Sequence, residues 1–545
     1  MKGQYKDKVM KICLINSSYE GVNSPFEEFD EFPDPGRYIS KDRHEFVTRF
    51  VSKANAKAEI DEICKEGFDM FMNYMWGIET DEVAGIEATQ YLESKGVPIL
   101  TNPSSFLAKT KLDLQSAATA AHRNGNRTFR VPGNTPGRYP KIVKYSDGCG
   151  SLKLDEASIC YTEQEVASRI ALLKGDKSLG SKFGVMVQDY IVGRECSAIV
   201  VEMGRELVAL TPLRYVFPED TPPNKEFLTW FNKFTAVDKG IIRYAFVEEQ
   251  PAMADLQNAA VDAFKALGVA GGGGWARVDM RLEDTTGDVY VLEVNSIPVV
   301  FYPKGNTLGD DLVVAEKFPG GQAALFDMLL ATKQMQLGWH REQAAAVAVF
   351  YNGLAQGYDR IWEGSGMCTM QKFLLERYDF SGSVLDLACG TGAFARGLHD
   401  NGVQADVIGI DLSPSMTENP DVKKVYKEVR IGPMQELIMG AGEHDHIVCF
   451  GAFNFLPTES LVAVLARSFM LARKSFTFDV ENATAEFCQK TKERLGASSF
   501  NHVVAVEDFG IPKGWKRVLR ERRHAYQSPS TGDYVDSYFM RFERV

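Results

Sequence analysis

The stretch VYVLEVNSIPVVF, Val289 to Phe301, is apolar apart from Glu293, Asn295 and a few small polar neighbours. In a strand, residues i and i+2 leave the backbone on the same face, so Glu293 and Asn295 point the same way. An unpaired carboxylate in apolar surroundings is costly and normally acquires a cation or a donor. Upstream, WARVDMRLE carries Arg277 and Asp279 at the same spacing, and the intervening EDTTGD is a Gly- and Asp-containing turn. A hairpin would bring all four side chains together. Three oxygen ligands beside an arginine suit Mg²⁺, a hard cation that commonly takes further ligands from nucleotide phosphates. Taken alone, the hairpin has a competing reading: an Arg–carboxylate ion pair on a solvated sheet face.

Two glycine loops extend the chemistry. In YPKIVKYSDGCGSLK a strand carries Lys144 into a loop with Gly148, Gly150 and Ser151. Such a loop lets backbone N–H groups approach phosphate oxygens, and the lysine adds a point charge. In GSVLDLACGTGAFARGLHDNGVQADVIGIDLSPSM a strand runs into CGTG and then into a helix, with Gly390 and Gly392 leaving room for a ligand against the backbone. The next strand ends at Asp411, about twenty residues on, where a carboxylate can accept both ribose hydroxyls. A nicotinamide-binding loop is the rival here. Residue 395 is Ala rather than the third fingerprint glycine, a replacement some dehydrogenases tolerate, but Asp386 is unfavourable beside a pyrophosphate and suited to a sulfonium and an amino group.

The elements that must position these residues alternate between strand and helix. KVMKICLINSSYEG, GFDMFMNYMWGIE and DEVAGIEATQYLESKGVPILTN predict a parallel α/β unit over the first hundred or so residues. SSFLAKTKLDLQSAATAAHRNG predicts one long helix with a Ser start and a Gly stop. Strands and glycine loops follow from Pro140, then the helix MADLQNAAVDAFKALG and the hairpin. The alternation restarts after residues 331–345, the expected linker, and HAYQSPSTGDYVDSYFMRFERV reads as a closing hairpin. The expected divisions are therefore 1–103, 104–330 and 346–545.

Bulk composition narrows the function classes. A chain of 545 residues exceeds what one hydrophobic core organises, so several domains are expected. The formal charge of −12, from 73 acidic and 61 basic residues, argues against nonspecific binding to nucleic acid or anionic membranes. Nine scattered cysteines without a C-x-x-C pair read as reduced thiols of a cytoplasmic protein. The N-terminal apolar run is broken by Lys11, and no window is long enough for a membrane span.

The ordered motifs of residues 9–300 resemble the ATP-grasp superfamily, most closely the D-alanine:D-alanine ligase and amino-acid ligase branch. The resemblance implies that Lys144 meets the α/β-phosphates, that the loop from Ser146 to Ser151 covers the phosphates, and that Gln188 to Ile191 form the adenine hinge. It implies Glu195 for the ribose, Asp279, Glu293 and Asn295 for Mg²⁺ or Mn²⁺, and Arg277 for the reacting carboxyl oxygens. A second nucleotide lysine is expected in AKTKL, with Lys111 preferred over Lys109. The implied reaction is ATP-dependent amide formation between small-molecule carboxylate and amine substrates through an acyl phosphate. Where the D-alanine ligases continue with Ser-Pro-Gly, this chain has NSIPVVF, and Val299 and Val300 predict a more apolar pocket for a substrate other than D-alanine.

Residues 346–545 resemble the class I S-adenosylmethionine-dependent methyltransferases, a Rossmann-like fold with a mostly parallel sheet. By motif, Asp386, Gly390 and Gly392 would hold the methionine part of the cofactor, Asp411 the ribose, and Met434 and Gln435 the adenine. Tyr351 and Tyr358 of FYNGLAQGYDRIW, with Phe450 to Asn454, are candidates for the methyl-acceptor pocket. The two halves together predict a bifunctional biosynthetic enzyme, with homo-oligomerisation left open. Alternatives are a ligase half reduced to a binding or scaffold module, and a ligase that forms a thioester or an ester.

Overall fold

The computed structural model describes residues 9–22, 24, 27, 32–78, 82–101, 103–123, 129–147, 150–177, 183–268, 271–272, 274–306 and 308–545. The chain divides into two compact units. One comprises Val9–Met203 with Leu207–Lys317; the other is built mainly of Phe318–Val545. Residues expected to form separate domains before and after residue 103 thus share the first unit. The segment expected as a linker, 331–345, is largely helical, because Gly321–Leu337 and Arg341–Leu354 are helices separated by a turn at a left-handed Gly338. The first of these buries Asp327, Thr332 and Gln334 as well as its apolar residues, and Gln334 Nε2 donates to Glu459 Oε1 at 2.6 Å. Among the described residues, no helix is long and apolar enough to cross a membrane.

In the first unit, Met10–Ser17 is the centre of a three-stranded parallel sheet between His44–Val51 and Met70–Tyr74. A small antiparallel sheet orders Ile159–Cys160, Lys141–Tyr145 and Val185–Asp189. The largest sheet of the unit runs Arg243–Phe246, Leu213–Val216, Gly193–Met203, Trp275–Glu283 and Val289–Asn295. Strand parity sorts its third and fourth members. Ala276, Val278, Met280 and Leu282 enter a core with Leu256, Ala259, Ala260, Ala263 and Phe264 of the helix Ala252–Ala266. Arg277, Asp279 and Arg281 are thereby left for the opposite face.

The partner strand needs an irregularity to match. Val291 is fully buried in that same core, so strict alternation would send Glu293 there too. The ladder shifts between Asp279 and Met280: Asp279 faces Glu293 whereas Met280 faces Val291, leaving Leu292 as the extra residue. This bulge changes the parity of the strand, and Glu293 and Asn295 fall opposite Asp279 and Arg277.

The predicted long helix after residue 103 is two helices, Ser104–Leu107 and Lys111–Arg123. Thr110 explains the break. Its N–H and Oγ1 both donate to Asp113 Oδ2, at 2.8 and 2.9 Å, an arrangement that starts a helix rather than continues one. Lys111 consequently stands at a helix start.

The segment after the hairpin meets the expected apolar pocket in part: Ile297, Pro298 and Val299 line a cleft beside Arg277 and Asn295, but Val300 does not. Val300 and Phe301 are fully buried, and Phe301 packs on Trp275 with ring centroids 5.7 Å apart. Phe301 has a φ of 73°, left-handed for a side chain that strongly disfavours it. Asp311 holds it there, accepting from the N–H groups of Phe301 and Tyr302, both at 2.9 Å. Asp311→Ala would leave these donors without an acceptor and should cost about 1–3 kcal/mol in chemical denaturation. Asp311→Asn keeps an acceptor oxygen and should cost less; equal losses would point to packing instead.

The second unit contains a seven-stranded sheet ordered Glu428–Ile431, Ala405–Asp411, Gly382–Asp386, His444–Cys449, Ala472–Glu481, Tyr534–Arg544 and Trp515–Gln527. The first five strands are parallel, and the last two form the closing antiparallel hairpin. Helix Thr458–Leu471 is buried along nearly its whole length, which accounts for its apolar sequence. Parallel strands covered by helices carry their ligand-facing groups at their C-terminal ends.

Candidate functional site

The first site is a cavity of about 930 Å³ whose walls include Lys111, Lys144, Ser151, Gln188, Ile191, Glu195, Asp279 and Glu293. Lys111 Nζ lies 3.3 Å from Glu293 Oε1, whereas Lys109 faces the adjoining, wider cleft. Burial, then the neighbouring Lys111 charge, pushes the Lys144 amine down to about 8. Lys111 and Lys144 therefore face the same space as Glu195, Asp279 and Glu293. Gln188 Nε2 donates to the Pro132 carbonyl at 3.2 Å while its Oε1 is buried without a partner, an acceptor left in the hinge wall. Of the expected phosphate loop, Ser151 has a φ of 60° and reaches the cavity, Ser146 Oγ donates to Asp147 Oδ2, and Gly148 lies outside the described residues.

Arg277 grips Asp279 through Nε and Nη2, at 2.7 and 3.0 Å, and Asn295 Nδ2 donates to Asp279 Oδ2 at 2.9 Å. Asp310 stands 3.6 Å from Arg277 Nη1. Burial opposes the Arg277 cation, but Asp279 and Asp310 together hold it well above its ordinary value. Among the described residues no three His, Cys, Asp or Glu side chains form a metal cluster. The oxygen donors Asp279 and Glu293, with the Asn295 carboxamide as third, still fit a hard divalent cation that is completed by phosphate or water.

Several residues here carry no motif. Glu195 does not stand alone: Oε2 accepts from Leu228 N at 3.0 Å and from Arg281 Nη1 at 3.1 Å. Burial raises the Glu195 carboxyl and Arg281 works against that rise. Arg281 sits directly opposite Glu195 in the ladder, and its guanidinium lies 4.9 Å from the Tyr190 ring centre. The i+2 spacing from Asp279 was the available signal. For Asp310 and Asp311 there was none: each accepts from a backbone N–H about ten residues earlier, and their side-chain partners, Arg277 and Asn306, form no motif with them.

The second site is a cavity of about 840 Å³ walled by Gly390, Asp411, Met434, Gln435, Tyr351, Tyr358 and Phe450, among others. Gly390 and Gly392 have φ of 52° and 84°, conformations that favour glycine. Asp411 closes the loop by accepting from Gly390 N at 2.7 Å and Ser413 N at 2.8 Å. Gly392 precedes the helix Ala393–Asp400, and a Cβ there would come 3.1 Å from Tyr426. Asp386 lies behind the cavity wall and accepts from Tyr426 Oη at 2.7 Å. Asn454 departs from its expected place: it is buried within the turn Phe453–Phe455 with Oδ1 unpartnered, and Phe455 faces the cavity instead. The helix carrying Tyr358 is tied to the glycine loop through Asp359, which accepts from Thr391 Oγ1 at 2.5 Å and Arg396 Nη2 at 3.0 Å. His340 also reaches this cavity, unlike His446, which is packed against Ser475 Oγ at 2.7 Å.

Two family models match the chain: the D-ala D-ala ligase C-terminus over residues 132–301 and a methyltransferase domain over residues 384–475. The chain joins a ligase domain to a methyltransferase domain. The ligase match falls almost wholly within the first compact unit, and the methyltransferase match falls on the mostly parallel sheet of the second. Similar solved structures include the VanG D-Ala:D-Ser ligase from Enterococcus faecalis, at 16% identity, 60% of this chain, 100% of that chain and a TM-score of 0.41. The L-amino acid ligase from Bacillus licheniformis is similar at 13% identity over 59% of this chain and 74% of that chain, with a TM-score of 0.39. The magnesium protoporphyrin IX methyltransferase from Synechocystis PCC 6803 is similar at 16% identity over 37% of this chain and 100% of that chain, with a TM-score of 0.28. YqeM of Bacillus subtilis (strain 168), which its name assigns to the methyltransferases, is 28% identical over 142 residues, 25% of this chain. The chain spans 57% of the length of that relative.

In the methyltransferase domain, burial raises the Asp386 carboxyl to about 7 despite the Tyr426 hydrogen bond. A carboxyl with a raised folded-state value opposes folding increasingly as pH rises from its unfolded value, about 4, through that folded value. Asp386→Asn should therefore raise the melting temperature relative to the parent, by little at pH 5 and most at pH 8. A difference that does not change with pH would refute the assignment to Asp386.

Proposed function

We propose that the protein is a bifunctional biosynthetic enzyme, an ATP-dependent carboxylate–amine ligase joined to a methyltransferase that acts on a small molecule of the same pathway. The observation that carries the ligase reading is the convergence of Lys111, Lys144, Asp279, Glu293 and Arg277 at one cavity and its rim. In the proposed reaction a substrate carboxylate oxygen attacks the γ-phosphorus of ATP, and the bond to the ADP oxygen breaks. The resulting acyl phosphate is attacked at carbon by an amine, phosphate departs with the C–O electron pair, and the amine proton goes to solvent. No protein nucleophile is required.

Each residue has a charge-positioning task. Lys144 and Lys111 would hold the nucleotide phosphates, and Gln188 and Ile191 would receive the adenine. Asp279, Glu293 and Asn295 would hold Mg²⁺ or Mn²⁺, which would neutralise charge on the phosphoryl group. Arg277, held between Asp279 and Asp310, would stabilise the oxyanion at the reacting carboxyl group. The wider cleft contains Arg277 and Asn295 together with Tyr215, Tyr244, Ile297 and Tyr302, a mixed apolar and hydroxyl surface for the acid and the amine.

In the methyltransferase domain, Asp411 would accept the ribose hydroxyls and Met434 and Gln435 would flank the adenine. S-adenosylmethionine would supply an electrophilic methyl group, so the protein's contribution is orientation of the acceptor in line with the breaking S–C bond. The scattered cysteines support a cytoplasmic location.

Point variants separate the two activities. Glu293→Gln should lower amine-dependent ADP release about 10²-fold or more while leaving methyl transfer intact. Asp411→Ala should abolish S-adenosylmethionine binding in calorimetry while ADP release persists. Loss of both activities in either variant, with the melting curve unchanged, would sink the two-site reading.

A further inference from the structure

Glu481 is the last residue of the strand Ala472–Glu481, at the ligand-facing end of the parallel sheet. It is 3% exposed. Tyr526 Oη donates to its Oε1 at 2.5 Å, and its Oε2 is buried without a partner. A buried carboxylate oxygen with nothing to accept from is expensive, and the deficit points to a donor that arrives with a ligand.

The surroundings define that donor. Tyr526 packs on Trp362 with ring centroids 4.7 Å apart, Trp362 on Tyr358 at 5.4 Å, and Tyr358 on Tyr351 at 6.1 Å. Tyr351 and Tyr358 belong to the wall of the cofactor cavity, facing the same space as Asp411 and Gly390. The Tyr351 phenol is raised first by its burial, then by the Glu481 and Asp411 charges, so both carboxylates act on it. Asp479, on the same side of the strand two residues earlier, is engaged by Gly451 N at 2.6 Å, and Gly451 is part of the cavity wall. Aromatic rings beside neighbouring buried carboxylates, here Glu481 and Asp479, are surroundings that bind a protonated amine, through cation–π attraction and a charge-assisted hydrogen bond.

We propose that the methyl acceptor is an amine, and that Glu481 receives its N–H behind the aromatic wall formed by Tyr351, Tyr358, Trp362 and Tyr526. The proposal rests on the methyltransferase reading above. An ammonium ion has no lone pair for attack. Transfer of one proton to Glu481 gives the neutral amine, whose lone pair forms the N–C bond to the methyl group as the S–C bond breaks and its electrons pass to sulfur. The products are a methylated ammonium ion and the neutral thioether, and Glu481 returns its proton to water when the product leaves. Burial holds the Glu481 carboxyl up at about 8, close to the range in which amines exchange protons.

The test uses the full chain with methyl-labelled S-adenosylmethionine and a pool of primary and secondary amines matched by their hydroxyl analogues. Labelled product is located by mass spectrometry, and S-adenosylhomocysteine affinity is measured separately by calorimetry. The expected result is label on nitrogen only, a fall of about 10²-fold in kcat/KM for Glu481→Gln, and partial recovery in Glu481→Asp. S-adenosylhomocysteine should bind both variants as it binds the parent, which shows that they are folded. Label on oxygen, no labelled amine despite S-adenosylhomocysteine binding, or a Glu481→Gln variant of parental activity would overturn the amine assignment and leave the methyltransferase reading in place. Absence of S-adenosylhomocysteine binding by the parent would instead remove the methyltransferase reading, and this proposal with it.

Discussion

The ligase domain depends on which way two strands face. Trp275–Glu283 buries one row of side chains in the helix-packed core and thereby commits Arg277, Asp279 and Arg281 to the other face. Exchanging the rows would put two arginines and an aspartate into a core of Ala, Val, Met and Leu, at a cost of several kcal/mol per uncompensated charge. The second strand meets the same demand through its bulge, which lets Val291 stay in the core while Glu293 turns to the cavity. Arg277, Asp279, Asn295 and Asp310 then satisfy one another, and Lys111 approaches Glu293 from a helix start.

The methyltransferase domain solves a related problem differently. Its carboxylates stand at the C-terminal ends of parallel strands, where the sheet meets its loops: Asp386, Asp411, Asp479 and Glu481. Burial raises all four, and each has at least one donor, from a backbone N–H or a tyrosine hydroxyl. The donors differ in kind. Backbone groups fix Asp411 against the glycine loop, while tyrosines fix Asp386 and Glu481 and leave them responsive to what enters nearby.

Much of this was legible in the sequence. Regularly spaced polar residues within apolar strands, and glycines with a carboxylate one strand later, report constraints that act over a few residues. The alternation of strands and helices reported the fold class for the same reason. Three features were not legible. The helix break at Thr110 depends on Asp113 turning back to bond Thr110 instead of facing solvent. Asn454 was expected at the acceptor pocket, but its turn buries it and presents Phe455. The apolar IPVVF segment packs Val300 and Phe301 inward because Asp311 secures a left-handed backbone at Phe301.

By itself, the sequence determined which residues could do chemistry and that there are two sets of them, because residue type and short-range spacing are properties of the chain. The tertiary structure decided which of these face one another. Glu293 shows why. Its spacing to Asn295 places the two on a common face, but not on which one, since strict alternation from the buried Val291 would lead into the core. Only the pairing of Trp275–Glu283 with Val289–Asn295 and the unpaired Leu292 between them turn that face towards Asp279 and the cavity. Ladder register is a contact between strands, and it cannot be read from either strand alone.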